Sequence, residues 1–160
     1  MVIFITVGTQ KFQFNRLLKE IDRLIEEEKI TEEVFAQIGY SGYKPKNYNY
    51  KDFIDRDEFE DIIKKCKIII THGGTGSIIG AVKQRKKVVA VPRLKEFGEH
   101  VDDHQIQIVS EFESIGFIEA AQSVEMLGNT IANIDKLELK EYISNTDNII
   151  KEIEVFIRKI

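Results

Sequence analysis

The stretch that decides the fold reads KIIITHGGTGSIIGAVKQ, from residue 67 to residue 84. Its opening residues, 67–71, are mostly β-branched and predict a buried strand. The apolar spacing over 77–84 predicts a helix, and three glycines stand between the two elements. A buried strand that turns through glycines into a helix is typical of α/β folds, in which strands and helices alternate.

The same alternation continues in both directions from this stretch. The further predicted strands are 2–7, 34–38, 48–50, 88–91 and 117–118. The further predicted helices are 14–25, 57–65 with Asp57 as N-cap, 102–115 ending before Gly116, and a helical segment from 128 to the end. Because the strands are apolar on both faces, we predict a Rossmann-like, mainly parallel sheet with helices on both faces. The chain has no repeat or linker, so 1–160 is predicted as one domain with a C-terminal helix at about 145–160.

Composition narrows the class of protein. The chain has 160 residues, of which 42% are hydrophobic and 31% charged, which excludes a disordered or low-complexity class. The net charge of −4 disfavours nucleic acid as a partner. A single cysteine, Cys66, permits no internal disulfide and indicates a reducing compartment, and we expect it to be structural. The apolar start has no basic region, and no apolar run approaches the roughly 20 residues that span a bilayer. These features predict a cytoplasmic protein.

Three loops follow predicted strands and are expected to meet at one edge of the sheet, where open parallel sheets bind ligands. They are 8–11, 71–77 and 92–104. In the second loop, glycines allow close backbone approach and positive φ, and Thr75 or Ser77 could cap the following helix. Free N–H groups at that helix start suit a phosphate or diphosphate. The structural alternative is a tight turn in which the glycines only permit packing.

Two common nucleotide motifs do not fit this loop. No lysine follows Gly76 or Gly80, so the P-loop pattern is absent. The pattern Gly74-x-Gly76-x-x-x-Gly80 is one residue longer than the dinucleotide fingerprint, and no acidic residue ends the next strand. An NAD(P)-dependent oxidoreductase is therefore the weaker alternative, beside a nucleotide-binding module without catalysis.

The histidines are the candidates for chemistry. His72 could donate to a phosphate or leaving-group oxygen, or simply be a hydrogen-bonded histidine at a strand end. His100, Asp102, Asp103 and His104 could bind a metal, but the acids also suit a helix cap and the histidines need not face one point. No metal is therefore expected, and His104 with Gln105 is better placed to hydrogen-bond a sugar or ribose.

Taken together, four segments resemble the C-terminal domain of glycosyltransferase family 28, the nucleotide-sugar half of MurG-like, GT-B-type enzymes. They are FITVGT at 4–9, THGGTGS at 71–77, VP at 91–92 and DHQ at 103–105. The resemblance covers roughly 1–119. It is greatest to single-domain members: the cytosolic catalytic subunit of the dolichol-pathway N-acetylglucosaminyltransferase and PssE-type polysaccharide galactosyltransferases.

The resemblance implies an inverting enzyme that moves galactose or N-acetylglucosamine from a UDP-sugar to a lipid-diphosphate-linked acceptor in capsule or exopolysaccharide biosynthesis. It implies no cofactor and no metal, because the glycine loop and helix start hold the donor diphosphate. It also implies recruitment from the cytoplasm to the inner face of the membrane by an acceptor-binding subunit. The residues expected to bind substrate are Gly8, Thr9, Gly73, Gly74, Thr75, Gly76, Ser77, Pro92, Glu96, His104 and Gln105.

The sequence departs from this family in two respects. MurG-like enzymes bind the ribose with a glutamate at the position of Gly80, so Glu96, Glu99 or a backbone group would have to replace it. The catalytic help of their N-terminal domain has no counterpart here, which leaves His72, His100 and Glu99 as candidate bases. We expect a partner to complete the cleft. The terminal helix, apolar at Ile149, Ile153, Phe156 and Ile160, either docks that partner or packs on its own sheet.

Overall fold

The computed structural model describes residues 2–158 and contains a six-stranded, fully parallel sheet. The strands lie in the order β3-β2-β1-β4-β5-β6. Their bounds are β1 Val2–Thr6, β2 Glu33–Gln37, β3 Asn49–Lys51, β4 Cys66–His72, β5 Lys87–Val91 and β6 Glu119–Ala120. The predicted mainly parallel α/β class is confirmed.

Six helices connect or follow the strands. They are α1 Asn15–Glu26, α2 Arg56–Lys65, α3 Thr75–Lys83, α4 His104–Ser114, α5 Leu127–Ile134 and α6 Thr146–Ile157. Short 3-10 turns at Lys95–Phe97 and Val124–Met126 precede α4 and α5. Helix α4 ends before Gly116, whose φ of +83° is the left-handed conformation expected after a helix.

Two apolar layers form the core, one on each face of the sheet. Successive residues of β1 point to opposite faces, so Ile3 and Ile5 join one layer while Phe4 joins the other. Buried residues of α1 and α5 cover the first face, and buried residues of α2, α3 and α4 cover the second. Cys66 is buried in the second layer, where its thiol donates to Ile63 O and burial raises its pKa, as a structural cysteine requires.

Several predicted boundaries were wrong. Helix α2 is capped by Asp55, which accepts from Glu58 N, because it lies one position before the helix while Asp57 lies inside it. The last strand lies at Glu119–Ala120 rather than 117–118. The predicted helical segment from 128 to the end is two helices separated by the non-helical residues 135–145.

Helix α6 lies apart from the core. Within the described part of the chain it contains no buried residue, although six of its side chains are large and apolar. The alternative that it packs on its own sheet is therefore wrong, and Ile160 lies outside the described residues. Among residues 2–158, no helix combines the length and apolarity needed to cross a membrane.

Candidate nucleotide-binding site

A cavity of about 520 Å³ opens at the carboxyl edge of the sheet, between the ends of β1 and β4. The chain fills the sheet outward from β1 through β2 and β3, then returns to the other side of β1 with β4. The strand order therefore reverses between β1 and β4, which is where open α/β sheets bind ligands. The cavity is lined by Thr6, Gly8, Thr9, Gln10, Gln37, Ile54, Asp55, Arg56, Phe59, His72, Gly74, Thr75, Gly76 and Ser77.

The N-terminus of α3 forms one wall of this cavity. Gly74 occupies the N-cap position, and no side chain of the described residues caps the helix. Thr75 and Ser77 lie within the first turn, so the expectation that one of their hydroxyls caps the helix was wrong. The first-turn N–H groups of Thr75, Gly76 and Ser77 are left for a ligand, and the helix dipole makes this end attractive to an anion.

His72 lies beneath the glycines and explains two of them. A Cβ added to Gly74 would lie 2.3 Å from His72 Nε2, and one added to Gly8 would lie 2.6 Å from His72 Cε1. Only glycine leaves room for the ring at these two positions. Burial, and secondly the charge of Arg93, lower the pKa of His72 to about 4, against the weaker opposing effect of a hydrogen bond with the Thr6 backbone. The imidazole is therefore neutral at physiological pH.

Gly73 is explained by Gln105 in the same way. A Cβ on Gly73 would lie 2.8 Å from Gln105 Cβ. Gln105 is buried, and its Oε1 accepts from the backbone N–H groups of both Gly73 and Arg93. One amide oxygen therefore ties the loop after β4 to the loop after β5, which makes Gln105 a positioning residue.

The glycines thus divide into two kinds. None of Gly73, Gly74 and Gly76 has a positive φ, so that expectation was wrong for this loop. Packing accounts for Gly73 and Gly74, as the structural alternative proposed. Gly76 faces open space, with no described atom within 4 Å of an added Cβ, and it remains available for close approach by a ligand.

A buried ionic network supports the rear of the site. Arg93 is fully buried, and its Nη2 donates to the carbonyl oxygens of Val7 and Phe12. Desolvation lowers the pKa of Arg93 to about 10, against the opposing charge of Glu99. Glu99 is fully buried as well, 2.9 Å from Arg16 Nη2, and accepts from Leu94 N. Because those contacts occupy its carboxylate, Glu99 is a structural residue rather than a candidate base or ribose ligand.

Residues 54–59 form an end of the cavity that was not predicted from the sequence. Ile54 and Phe59 supply apolar surface, and Asp55 and Arg56 add polar groups. These residues follow β3, so the rule that selected the other three loops also applies here. The signal that could have found them is the predicted strand at 48–50, whose following loop reaches the same edge of the sheet.

The structure brings together one subset of the predicted site residues and separates the others. The cavity is lined by Gly8, Thr9, His72, Gly74, Thr75, Gly76 and Ser77. Pro92, Glu96, His100, His104 and Gln105 lie outside its lining. The Pro92 carbonyl accepts from Arg16, and Glu96 belongs to the 3-10 turn Lys95–Phe97. Gly80 faces an adjoining cavity beside Glu60 and Gln84.

Comparison with known proteins agrees with this geometry. Residues 2–159 match the glycosyltransferase family 28 C-terminal domain. The UDP-N-acetylglucosamine transferase subunit ALG13 of Candida glabrata is 28% identical over 102 residues, which are 63% of this chain and 46% of the relative.

Solved glycosyltransferases share the fold. MurG of Acinetobacter baumannii superposes with a TM-score of 0.59 at 17% identity, over 86% of this chain and 43% of that one. SnogD of Streptomyces nogalater gives 0.58 at 18% identity, over 83% and 34%. The chain thus spans less than half the length of each of these proteins. Since the family match extends over nearly all of its residues, this chain belongs to the glycosyltransferase family 28 C-terminal domain family.

Proposed function

We propose that this chain is the donor-binding, catalytic subunit of an inverting glycosyltransferase that takes a hexose from a UDP-sugar. The observation that carries the proposal is the uncapped N-terminus of α3, which opens into a cavity at the reversal point of the sheet. Family membership supports the same chemistry. The ALG13 relative is named as a UDP-N-acetylglucosamine transferase subunit, which supports both the nucleotide sugar and a role as one subunit of a larger enzyme.

The donor would lie across the cavity. Its diphosphate would accept from the N–H groups of Thr75, Gly76 and Ser77, and its base would contact Ile54 and Phe59. A volume of about 520 Å³ falls within the range of roughly 300–1,000 Å³ that small-molecule sites occupy. Oriented N–H groups stabilise the negative charge that develops on a departing diphosphate, so this binding mode requires no metal at the diphosphate.

Ribose recognition would come from polar side chains that line the same cavity. Gly80 has no side chain to offer, and Glu99 is committed to Arg16. Gln37, at the end of β2, and Asp55, at the start of α2, both line the cavity. We assign the ribose hydroxyls to this pair, because amide and carboxylate oxygens accept from sugar hydroxyls.

The transfer itself needs a proton acceptor. An acceptor hydroxyl attacks C1 of the sugar, the bond from C1 to the diphosphate oxygen breaks, UDP leaves, and the hydroxyl proton passes to a base. With a pKa of about 4, His72 is a weak base and holds no transferable proton at neutral pH. His72 therefore shapes the site as a neutral group, and His100 lies outside the cavity. We place the base on the partner subunit.

The partner we propose is a membrane-associated subunit that binds a lipid-diphosphate-linked acceptor for polysaccharide or oligosaccharide synthesis. Its docking element on this chain is α6, whose exposed apolar side chains include Ile149, Ile153 and Phe156. Such a surface is typical of a helix that covers its apolar face on another protein. Recruitment of this kind would bring the chain to the inner face of the membrane.

Radiolabelled transfer from UDP-hexoses to membranes tests the enzymatic role. Membranes from cells that co-express the chain with the product of a neighbouring acceptor-subunit reading frame should incorporate label, and membranes with either protein alone should not. Incorporation should fall in Ser77→Glu and persist in Ser77→Gln. If the pair transfers nothing from any UDP-hexose while the chain still binds UDP, the alternative of a nucleotide-binding module without catalysis replaces this proposal. Binding of NAD(P) without UDP would overturn both.

A further inference from the structure

Three side chains outside the nucleotide cavity converge at the loop between β5 and α4. One ring nitrogen each of His100 and His104 and a carboxylate oxygen of Asp102 all lie within 4.8 Å of one another. None of the three residues lines the nucleotide cavity. The histidines do face one point, contrary to what their spacing in the sequence indicated.

His100 is the member of this cluster that demands a partner. Its side chain is 9% exposed, and its Nδ1 is fully buried without a hydrogen-bond partner among residues 2–158. The ring is fixed by aromatic neighbours, with centroid distances of 4.8 Å to Phe12 and 4.7 Å to His104. A buried polar atom that stays unsatisfied is costly, so an orphaned nitrogen held in a fixed position points to a missing ligand.

The donor set indicates which ligand fits. Donor atoms about 2.0–2.1 Å from a tetrahedral ion lie about 3.3–3.4 Å from each other. His100 Nδ1 lies 3.3 Å from Asp102 Oδ1, which matches that spacing. Two imidazoles with one carboxylate, and a fourth position left for water, are typical of zinc, whereas magnesium and calcium prefer oxygen ligands alone.

We propose that His100, Asp102 and His104 bind one zinc ion. His104 and Asp102 have exposed side chains that can rotate toward the buried His100 nitrogen. Asp102 Oδ1 accepts from His104 N at 3.2 Å, which leaves the second carboxylate oxygen free to bind the ion. The ion would replace the contact between the Asp102 carboxylate and the His104 ring.

The position of the site defines what the ion does. It joins the loop before α4 to the first residue of that helix, and the next residue, Gln105, holds the Gly73 and Arg93 amides. A bound ion therefore fixes the start of α4 and, through it, the two loops at the rear of the nucleotide cavity. This role is structural, and it stands whether or not the chain transfers sugar.

Titration calorimetry of chelator-treated protein without a histidine tag tests the site. Zinc chloride should bind at one equivalent per chain, and magnesium chloride should not bind. Asp102→Asn and His104→Gln, both at exposed side chains, should weaken zinc binding at least tenfold, since even outer-shell changes cost about 10- to 100-fold. Asp103→Asn is the matched control and should keep the affinity. Circular dichroism establishes that each variant is folded.

Cobalt substitution and the single cysteine sharpen the result. Cobalt should give the visible absorption bands of a tetrahedral site without a sulfur-to-metal charge-transfer band, and Cys66→Ser should leave zinc binding unchanged. Failure of the wild-type protein to bind one equivalent would overturn the proposal. So would zinc binding that survives in both Asp102→Asn and His104→Gln, or that disappears in Cys66→Ser.

Discussion

His72 shows why individual residues of this site are fixed. Its ring occupies the volume that a side chain at Gly8 or Gly74 would need, so the histidine and the two glycines form one steric unit. The unit places the end of β1 and the turn before α3 around a neutral imidazole. Changes at any of its members should therefore alter both stability and the shape of the cavity.

Substitution of Gly74 and Gly76 by alanine should have opposite effects on stability. Gly74→Ala forces a methyl group to within 2.3 Å of His72 Nε2 and should cost about 1–3 kcal/mol of unfolding free energy, as overpacking does. Gly76→Ala meets open space inside a helix and should stabilise by about 0.5–1 kcal/mol. Urea denaturation of the two variants measures both values. Equal effects of the same sign would show that the His72 ring does not fill the space beside Gly74.

The depressed pKa of His72 predicts a pH dependence of stability. The unfolded chain takes up a proton at His72 near pH 6.5, and the folded chain only near pH 4. The stability that the neutral ring contributes is therefore complete above pH 6.5 and is lost as the pH falls toward 4. Wild-type protein should lose about 3 kcal/mol more than His72→Gln over that interval. Denaturation curves at several pH values measure the difference, and a constant difference would contradict a buried neutral histidine.

At the scale of elements, the N-terminus of α3 is the feature that a ligand would recognise. A negative side chain there satisfies the helix dipole and should not lower stability. It would, however, occupy the position of a bound anion. Ser77→Glu should therefore weaken UDP binding at least tenfold, about 1.4 kcal/mol, whereas Ser77→Gln adds a side chain of the same size without the charge and should bind with little change. Calorimetric titration with UDP compares the two, and equal affinities would place the diphosphate elsewhere.

The loop after β5 depends on a buried ion pair. Glu99 accepts from Arg16 and from Leu94 N while fully buried, so Glu99→Gln removes a charge that two donors require. The substitution should cost about 1.5–3 kcal/mol of unfolding free energy, the usual worth of hydrogen bonds to a charged group. Glu96→Gln, on the exposed neighbouring turn, is the matched control. Thermal unfolding of both distinguishes a structural Glu99 from one that serves the ligand alone.

The elements that could be predicted from the sequence are those with a strong local pattern. The β-branched runs of β1, β4 and β5 and the apolar spacing of α1 identified themselves, because burial on both faces leaves little else that such residues can do. Boundaries set by a single hydrogen bond could not be read in this way. Asp55 and Asp57 are equally good caps by type, and only the helix geometry selects Asp55.

The site followed the same division. The convergence of loops at the sheet edge was predictable from parallel topology, and it located Gly8, His72 and the residues of α3. The partners of the glycines were not predictable, because Gln105 lies 32 residues beyond Gly73 and His72 reaches Gly8 across the sheet. Residues 54–59 could have been found, since they also follow a predicted strand.

At the scale of the whole molecule, α6 separates folding from assembly. Phe156 and Ile157 are 67% and 63% exposed, so the helix adds little to the core. Deletion of residues 145–160 should leave the thermal unfolding midpoint and UDP binding nearly unchanged, and it should abolish co-purification with the acceptor subunit. Ile153→Lys should weaken that association, and Glu152→Lys is its control on the same helix. A deletion that unfolds the chain would show that α6 belongs to its core.

The central claim is that a nucleoside diphosphate binds at the N-terminus of α3. The most direct measurement is an amide NMR titration of the isotope-labelled chain with UDP. We predict that the largest saturable shifts occur at the amides of Thr75, Gly76 and Ser77, with smaller shifts at Ile54 and Phe59. Saturating UDP that leaves those amides unmoved, or that shifts a different edge of the sheet, would contradict it.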